Sequence, residues 1–300
     1  MLEEAKRFLI FAVFLSAIAV FFSQLRSLNK EFLEADSGIQ VQDSQEKSTN
    51  TGFAKEYLKF WKGMISFDLG ETESGDPVLS HILSRFWPTL HLAGFAVITG
   101  TFFSVFLALV SFLPRLRFIG EVFGFISQLI LSTPVFVVSV FLLVFFFLIL
   151  GWLPPGGYEP GNTSYVILPG IALGSRIFAR LFIFAHQLAG TEKQSAYTNV
   201  LKARGYSENR ILFRHILLKV SPVLLILILL DLSSLLSGAI VVEEIFFFPG
   251  IGKSMYHAIR TMDSALLSAL LFYSGMVFYI LTRFSEKVRD RLLGWEAGAA

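Results

Sequence analysis

Six long apolar runs constrain the fold of this 300-residue chain more than any other feature of its sequence. A helix needs roughly 17–25 mostly apolar residues to cross the hydrocarbon core of a bilayer. A helix also satisfies its own backbone hydrogen bonds, which lipid cannot do. We therefore predict six transmembrane helices, at about Phe8–Phe22, Leu90–Leu113, Val122–Leu150, Tyr165–Ala185, Leu217–Val242 and Ala265–Phe284.

The composition also places the chain in the membrane class. Only 16% of the residues are charged and 54% are hydrophobic, whereas a soluble domain carries about a quarter charged residues. The chain has no cysteine, which excludes disulfides and thiol catalysis. It also lacks a basic patch with interleaved aromatic residues, a phosphate-binding loop and the common hydrolase motifs. We expect an all-α membrane protein that is not an enzyme, binds no nucleic acid and needs no metal or cofactor.

The distribution of Lys and Arg predicts the orientation. With the N-terminus inside, fourteen Lys and Arg residues fall in inner segments and nine in outer segments, most of the latter in one long loop. Cytoplasmic loops carry the excess of positive charge, so both termini are expected in the cytoplasm. The first run is interpreted as an uncleaved signal anchor, with a cleaved signal peptide as the alternative.

These segments divide the chain into four parts: a first transmembrane helix (1–23), an outer loop (24–85), a transmembrane core (86–293) and a C-terminal tail (294–300). Within the outer loop, the polar stretch Ala35–Gly52 predicts a mobile segment. The aromatic and lysine pattern around Tyr57–Ile65 predicts a short helix. Such a helix would lie on the membrane surface or pack on an external subdomain.

Two runs carry packing signals. Ala96, Gly100, Ser104 and Ala108 recur every four residues, a small-residue stripe that lets another helix approach closely. Pro134 interrupts the third run and predicts a kink, whose freed carbonyl must be satisfied inside the protein.

The inner segment 187–216 predicts two short helices joined by a turn. Thr191 and Gln194 have the spacing of a capping box that would start a helix ending near Arg204. Gly205 supplies a left-handed residue after that helix, and Ser207 can cap a second one. An ordinary amphipathic connector between two membrane helices remains the alternative.

The inner segment and four other stretches resemble a known family, the permease subunits of dipeptide/oligopeptide binding-protein-dependent ABC importers. The likeness covers roughly residues 54–293 in collinear order. The stretches that carry it are AYTNVLKARGYSENRILFRHILLKVSP (196–222), VVEEIFFFPGIG (241–252), STPVFVVSVFLL (132–143), GWLPPGG (151–157) and DLGETESGDPVLSHILSRFWPTLHL (68–92).

This resemblance implies the type I importer permease fold, in the inner membrane of a bacterium. It also implies four kinds of partner: a second, similar permease, two ATPase subunits, an external solute-binding protein and the lipid bilayer. The ATPase-coupling residues would be Tyr197, Ala203, Arg204, Gly205, Ser207, Glu208, Ile211, Leu212, Arg214 and His215. The apolar side chains Ile211, Leu212 and Ile216 would fill a groove of the ATPase. Peptides are the expected solutes, although family members also carry metal chelates and glutathione.

Charged residues mark two further candidate sites. Arg176 and Asp231 fall within apolar runs and, together with Pro134, would line the solute path. Asp231 could pair with Arg176 or Arg180, or both arginines could extend to the inner interface. The outer-gate candidates are Glu243, Glu244, Pro249, Gly250 and Gly252. The alternative there is a capped re-entrant turn.

Two other classes of protein compete with the permease interpretation. A secondary transporter or channel would work without partners, and a scaffold or assembly factor would need neither the inner segment nor the outer Pro-Gly loop. Inverted repeats and pairs of broken helices are typical of secondary transporters. We see neither in the sequence, apart from the break at Pro134.

Overall fold

The computed structural model describes residues 2–36 and 53–297, and nearly all of these residues are helical. The predicted mobile loop therefore falls almost entirely outside the described residues. The all-α prediction is confirmed. The helices, numbered along the chain, are α1 (Leu2–Asp36), α2 (Phe53–Ser66), α3 (Val78–Val110), α4 (Arg117–Ser132), α5 (Val135–Leu142), α6 (Ser164–Lys193), α7 (Ala196–Ala203), α8 (Glu208–Arg210), α9 (Leu217–Leu236), α10 (Ile240–Ile245), α11 (Ile251–Thr261) and α12 (Ser264–Ala297).

Two π-helical segments extend this set of helices. Leu143–Ile149 continues α5, and Ile211–Ile216 joins α8 to α9, so that 208–236 forms one continuous rod. At the C-terminus, α12 reaches Ala297, so most of the segment expected as a tail is helical.

Five of the six predicted membrane spans are single long helices, and the third run differs in shape. Within the described residues five helical stretches are long and apolar enough to cross a bilayer: Lys6–Leu25, Val78–Val110, Ser164–Lys193, Glu208–Leu236 and Ser264–Arg291. The sixth would be the pair Arg117–Ser132 and Val135–Ile149, whose axes are bent by 108°. The kink expected at Pro134 is thus a complete break between α4 and α5.

Local hydrogen bonds stabilise the break, and one residue of α6 lies beside it. The Thr133 side chain donates to the carbonyl of Leu129 at 2.8 Å, which covers the end of α4. The Thr133 carbonyl accepts a hydrogen bond from the Arg176 guanidinium at 3.5 Å. Pro134 is the N-cap of α5, and because its nitrogen carries no hydrogen, it leaves no backbone donor unpaired at the break.

Helix α6 lies at the centre of the bundle and contacts α3, α4, α5 and α9. The small-residue stripe of α3 faces it, as the spacing predicts. A Cβ built on Gly100 would lie 2.8 Å from the carbonyl oxygen of Gly174 in α6. A larger residue at Gly100 would therefore force the two helices apart.

Helix α2 packs against two of the membrane-spanning helices. Its Tyr57 hydroxyl lies 3.0 Å from the Ser16 hydroxyl, in the middle of the first span, and Phe60 and Trp61 pack edge-on against Phe272 of α12. Helix α2 thus packs along α1 and α12, and its place at the membrane surface stays a prediction. Aromatic patterning shows which face of α2 is apolar, but not which helices cover that face.

The fifth apolar run also ends earlier than predicted. Helix α9 stops at Leu236, and Gly238 adopts a φ of +114°, which turns the chain into the short helix α10. Helices α10 and α11 then form a compact segment, 238–263, that returns the chain to α12. From here on, this segment is called the outer loop, after its predicted side of the membrane.

Candidate functional site

The inner segment forms a helical hairpin, α7–α8, whose first helix starts later than predicted. Helix α6 continues through Thr191 to Lys193, and the Thr191 hydroxyl donates to the Gln187 carbonyl inside α6. The actual N-cap is Ser195, whose hydroxyl accepts the backbone N–H of Thr198 at 3.3 Å. The capping-box prediction was wrong because the core packing of α6 extends the helix past a local start signal.

The turn of the hairpin is as expected. Gly205 adopts a φ of +79°, the left-handed conformation that non-glycine residues rarely take. A Cβ at this position would meet no atom within 4 Å, so the requirement for glycine is purely conformational. Ser207 precedes α8 in an extended conformation, although its side chain makes no capping hydrogen bond.

The apolar face of the hairpin points into the protein, not toward a partner. Ile211, Leu212 and Ile216 are each at most 2% exposed and join the main hydrophobic core, together with Leu201 of α7. They cannot fill a groove on another subunit, so this expectation was wrong. Spacing along a helix identifies an apolar face, but it does not show whether the chain itself or a partner covers that face.

Polar contacts also tie the hairpin to the two long helices that flank it. Glu192 at the end of α6 accepts a hydrogen bond from Lys219 of α9 at 2.6 Å, and its carbonyl accepts one from the Thr198 hydroxyl at 2.7 Å. Lys193 lies 3.9 Å from Glu208. The contact between Glu192 and Lys219 could not be predicted from the sequence, because the two residues are 27 positions apart and the whole hairpin lies between them.

The exposed side of the hairpin carries most of the other predicted coupling residues. Tyr197 and Val200 are about half exposed, and the Tyr197 hydroxyl lies 3.1 Å from His215 Nδ1. The Arg210 guanidinium lies over the Tyr206 ring, 4.7 Å from its centroid. The remaining exposed residues of this set are Ala203, Arg204, Gly205, Ser207, Glu208 and Arg214.

Arg180 of α6 and Asp231 of α9 form an ion pair within the bundle. The Asp231 side chain is 12% exposed and the Arg180 side chain 38% exposed. Arg176, one turn before Arg180, is exposed and has the Thr133 carbonyl as its hydrogen-bond partner. Of the two pairings left open by the sequence, the structure therefore has Arg180 with Asp231, and it leaves Arg176 at the α4–α5 break.

Glu243 organises the outer loop from the inside. Its side chain is fully buried, with Oε1 accepting the N–H of Ala239 at 3.2 Å and Oε2 that of Lys253 at 2.8 Å. Burial raises the pKa of the Glu243 carboxyl, while these N–H donors and that of Gly252 act in the opposite direction. Glu243 thus caps the start of α11, which agrees with the capped-turn alternative.

The other outer-loop residues surround this carboxylate. The Glu243 carboxylate leaves no room for a side chain at position 250. A Cβ on Gly252 would lie 2.6 Å from the backbone nitrogen of Ile240. Glu244 and Pro249 are partly exposed.

The three predicted sites lie at different levels of the bundle. The outer loop contacts the connection before α6, where the Gly157 N–H bonds to the Phe246 carbonyl. The hairpin follows the other end of α6, and the arginine–aspartate pair lies between them. Helix α6 has 30 residues and is about 45 Å long, so the outer loop and the hairpin are on opposite sides of the membrane region. Within the described residues no group of three His, Asp or Glu residues is placed to hold a metal ion.

Comparison with known proteins gives one family and a set of relatives. Residues 100–288, more than half of the chain, match the family described as binding-protein-dependent transport system inner membrane component. A glutathione transport system permease protein, GsiC, of Shigella flexneri serotype 5b is 27% identical over 75% of this chain and 74% of its own length. GsiC of Escherichia coli strain K12 is 26% identical over the same shares. GsiC of Pectobacterium atrosepticum is 25% identical over 83% of this chain and 81% of its own length.

Proposed function

The chain belongs to the family of binding-protein-dependent transport system inner membrane components, and from this membership we propose that it forms part of the pore of an ATP-driven importer for small peptides or similar solutes. The chain is a multi-pass inner-membrane protein and a transport permease, not an enzyme. The family implies an ATPase and a binding protein as partners in general. The proposed assembly pairs this chain with a second permease and two ATPase subunits, with both termini in the cytoplasm.

The observation that carries the proposal is that the α7–α8 hairpin has one buried face and one exposed face. Leu201, Ile211 and Leu212 are buried in the core, whereas Val200 and Arg204 lie on the exposed side. A connector that only joined two helices would not need such an anchored base. A hairpin that transmits the movement of an ATPase needs these buried contacts, because a loosely attached hairpin would move without displacing the membrane helices.

The anchoring supports a rigid-body mechanism. Glu192 and Lys219 join the ends of α6 and α9 beside the hairpin, so a displacement of the hairpin is passed to both helices together. In the proposed cycle, ATP binding closes the ATPase dimer and moves the docked hairpins. The long helices then change which side of the pore is open.

The break between α4 and α5 supports a place for the solute path. Non-helical backbone at membrane depth is tolerated where protein covers it or where it lines a water-filled cavity. Ser132 and Pro134 are exposed in this chain, and the exposed Arg176 lies beside them. We place the water-filled path along this surface, with the second permease closing its far side.

Arg176 also indicates a class of solute. Its neighbour Arg180 already pairs with Asp231, so Arg176 remains as an exposed positive charge at this level. Charged groups at membrane depth face an interior or a cavity and meet a partner there. A solute with a carboxylate, such as a short peptide, supplies such a partner. The relatives are permease proteins of a glutathione transport system, which is consistent with this class.

Purification of the tagged chain in mild detergent tests the proposal. An ATPase and a second permease should remain bound, whereas a secondary transporter or a scaffold would not bring both. Val200→Asp places a charge on the exposed face of the hairpin and should release the ATPase while the second permease stays bound. Phe247→Asp makes the same change at an exposed residue of the outer loop and should leave the ATPase attached. Purification of the wild-type chain without an ATPase would overturn the proposal.

A further inference from the structure

A positively charged cavity of about 530 Å³ lies at the hairpin end of α6, and the proposed coupling mechanism does not use it. Three elements form it: the α3–α4 connection with the start of α4, the end of α6, and α7. They contribute three cations, Arg117, Lys193 and Lys202. Glu121 is the one acidic residue that lines the cavity, so its charge is positive overall.

The position of Lys193 shows that the cations converge. Its ammonium donates to the Phe112 carbonyl at 2.7 Å and lies 5.5 Å from the centroid of the Phe112 ring. Arg117 and Lys202 line the same cavity as this ammonium. The Glu208 carboxylate, 3.9 Å away, lies at the limit of an ion pair. Glu208 and Glu121 offset two of the three positive charges, so the cavity keeps one unbalanced positive charge that an anion between the cations would neutralise.

We infer that this cavity binds the phosphate group of an anionic lipid. A guanidinium offers a phosphate two parallel hydrogen bonds, and two ammonium groups can neutralise its remaining charge. Basic pockets between transmembrane helices are suited to lipid headgroups. The volume is ample for a phosphate with its glycerol.

The exposed surface beside the cavity favours a lipid over a free phosphate. After Arg117, helix α4 carries an apolar stripe of three exposed residues, Phe118, Val122 and Phe125. They lie on one face of the helix, because they are four and three residues apart. Helix α3 ends, α4 begins and α6 ends at this level, so the cavity lies where the bundle meets water. A headgroup in the cavity would place its acyl chains along the stripe formed by Phe118, Val122 and Phe125.

The test is retention of phosphatidylglycerol by the purified complex, measured by native mass spectrometry after reconstitution with equal amounts of phosphatidylglycerol and phosphatidylcholine. We expect the wild-type complex to retain phosphatidylglycerol. Arg117→Gln and Lys193→Gln should each weaken its binding about five-fold. Arg289→Gln removes the same charge at the same end of the bundle, outside the cavity, and should change nothing.

Three results would overturn the inference. The first is equal retention of both lipids by the wild-type complex. The second is saturation of the cavity by inorganic phosphate alone, seen as a thermal shift that Lys193→Gln abolishes without any loss of phosphatidylglycerol. The third is an unchanged lipid signal in Lys193→Gln with loss of a neighbouring subunit, which would show that a carboxylate of that subunit occupies the cavity. A melting temperature of Lys193→Gln in pure phosphatidylcholine equal to that of the wild type establishes that the variant is folded.

Discussion

Gly250 and Glu243 form a matched pair in the outer loop: a Cβ on Gly250 would lie 2.5 Å from the carboxyl carbon of Glu243. The backbone of Gly250 is extended, with φ −103° and ψ −178°, so any residue could adopt its conformation. The glycine is therefore required for space, not for flexibility. It allows a buried carboxylate to reach the first N–H groups of α11.

Gly250→Ala should lower the stability of the protein by about 1–3 kcal/mol, because the added methyl group displaces the Glu243 carboxylate from its donors. Gly124→Ala is the matched control. A Cβ at Gly124 in α4 would have no atom within 4 Å, so alanine there should be neutral or stabilising by about 0.5–1 kcal/mol. Thermal unfolding in detergent measures both. Equal melting temperatures for the two variants would contradict the steric argument.

Glu243 should also give the outer loop a pH-dependent stability. Burial raises the pKa of the carboxyl above its ordinary 4.5, so the folded protein binds this proton more tightly than the unfolded chain. The contribution of Glu243 to stability therefore rises as the pH falls from neutral toward 4.5. Glu243→Gln removes this dependence. The melting temperatures of the wild type and of Glu243→Gln are compared at about pH 8 and about pH 5, and the difference in favour of the wild type should be larger at the lower pH. A smaller advantage there would show that the N–H donors dominate over burial.

The Arg180–Asp231 pair should behave as a coupled unit. Removing one partner leaves the other charge uncompensated inside the bundle, and we expect Arg180→Gln and Asp231→Asn each to cost about 1–3 kcal/mol, a range reduced for the partial exposure of Arg180. The double variant should be less destabilised than the sum of the two, with a coupling of about 1–2 kcal/mol. The measurement is the fraction of the wild type, of each single variant and of the double variant that stays monodisperse in detergent after heating. Strict additivity would mean that the two side chains do not interact in the membrane.

Gly205 provides the sharpest test of coupling through the hairpin. Gly205→Val places a β-branched residue at a φ of +79°, which costs about 1–2 kcal/mol and distorts the turn. We expect an inserted complex whose solute-stimulated ATPase and transport are both reduced. Gly205→Asn is the control, because asparagine tolerates the left-handed region. Unchanged solute-stimulated ATPase in reconstituted Gly205→Val complexes would refute the role of the turn.

Arg176 should determine solute affinity without affecting stability. Its hydrogen bond to the Thr133 carbonyl is long, at 3.5 Å, so Arg176→Gln should leave the free energy of unfolding within about 0.5 kcal/mol of the wild type. Loss of a charge-assisted contact to a solute carboxylate should raise the KM for uptake at least about ten-fold. Arg176→Lys should retain part of the affinity. Uptake into proteoliposomes by Arg176→Gln at the wild-type KM would exclude Arg176 from the solute site.

Features that depend on neighbours along the chain could be predicted from the amino-acid sequence alone. Apolar run length predicts the spans, the four-residue spacing of small side chains predicts the close approach of α3 to α6, and Gly205 predicts the left-handed turn. What covers each face emerged only from the folded bundle. The fold buries Ile211 and Leu212 within the chain, pairs Asp231 with Arg180, and places Gly250 against Glu243. Helical periodicity defines which side chains share a face, whereas the partner of that face comes from helices distant in sequence.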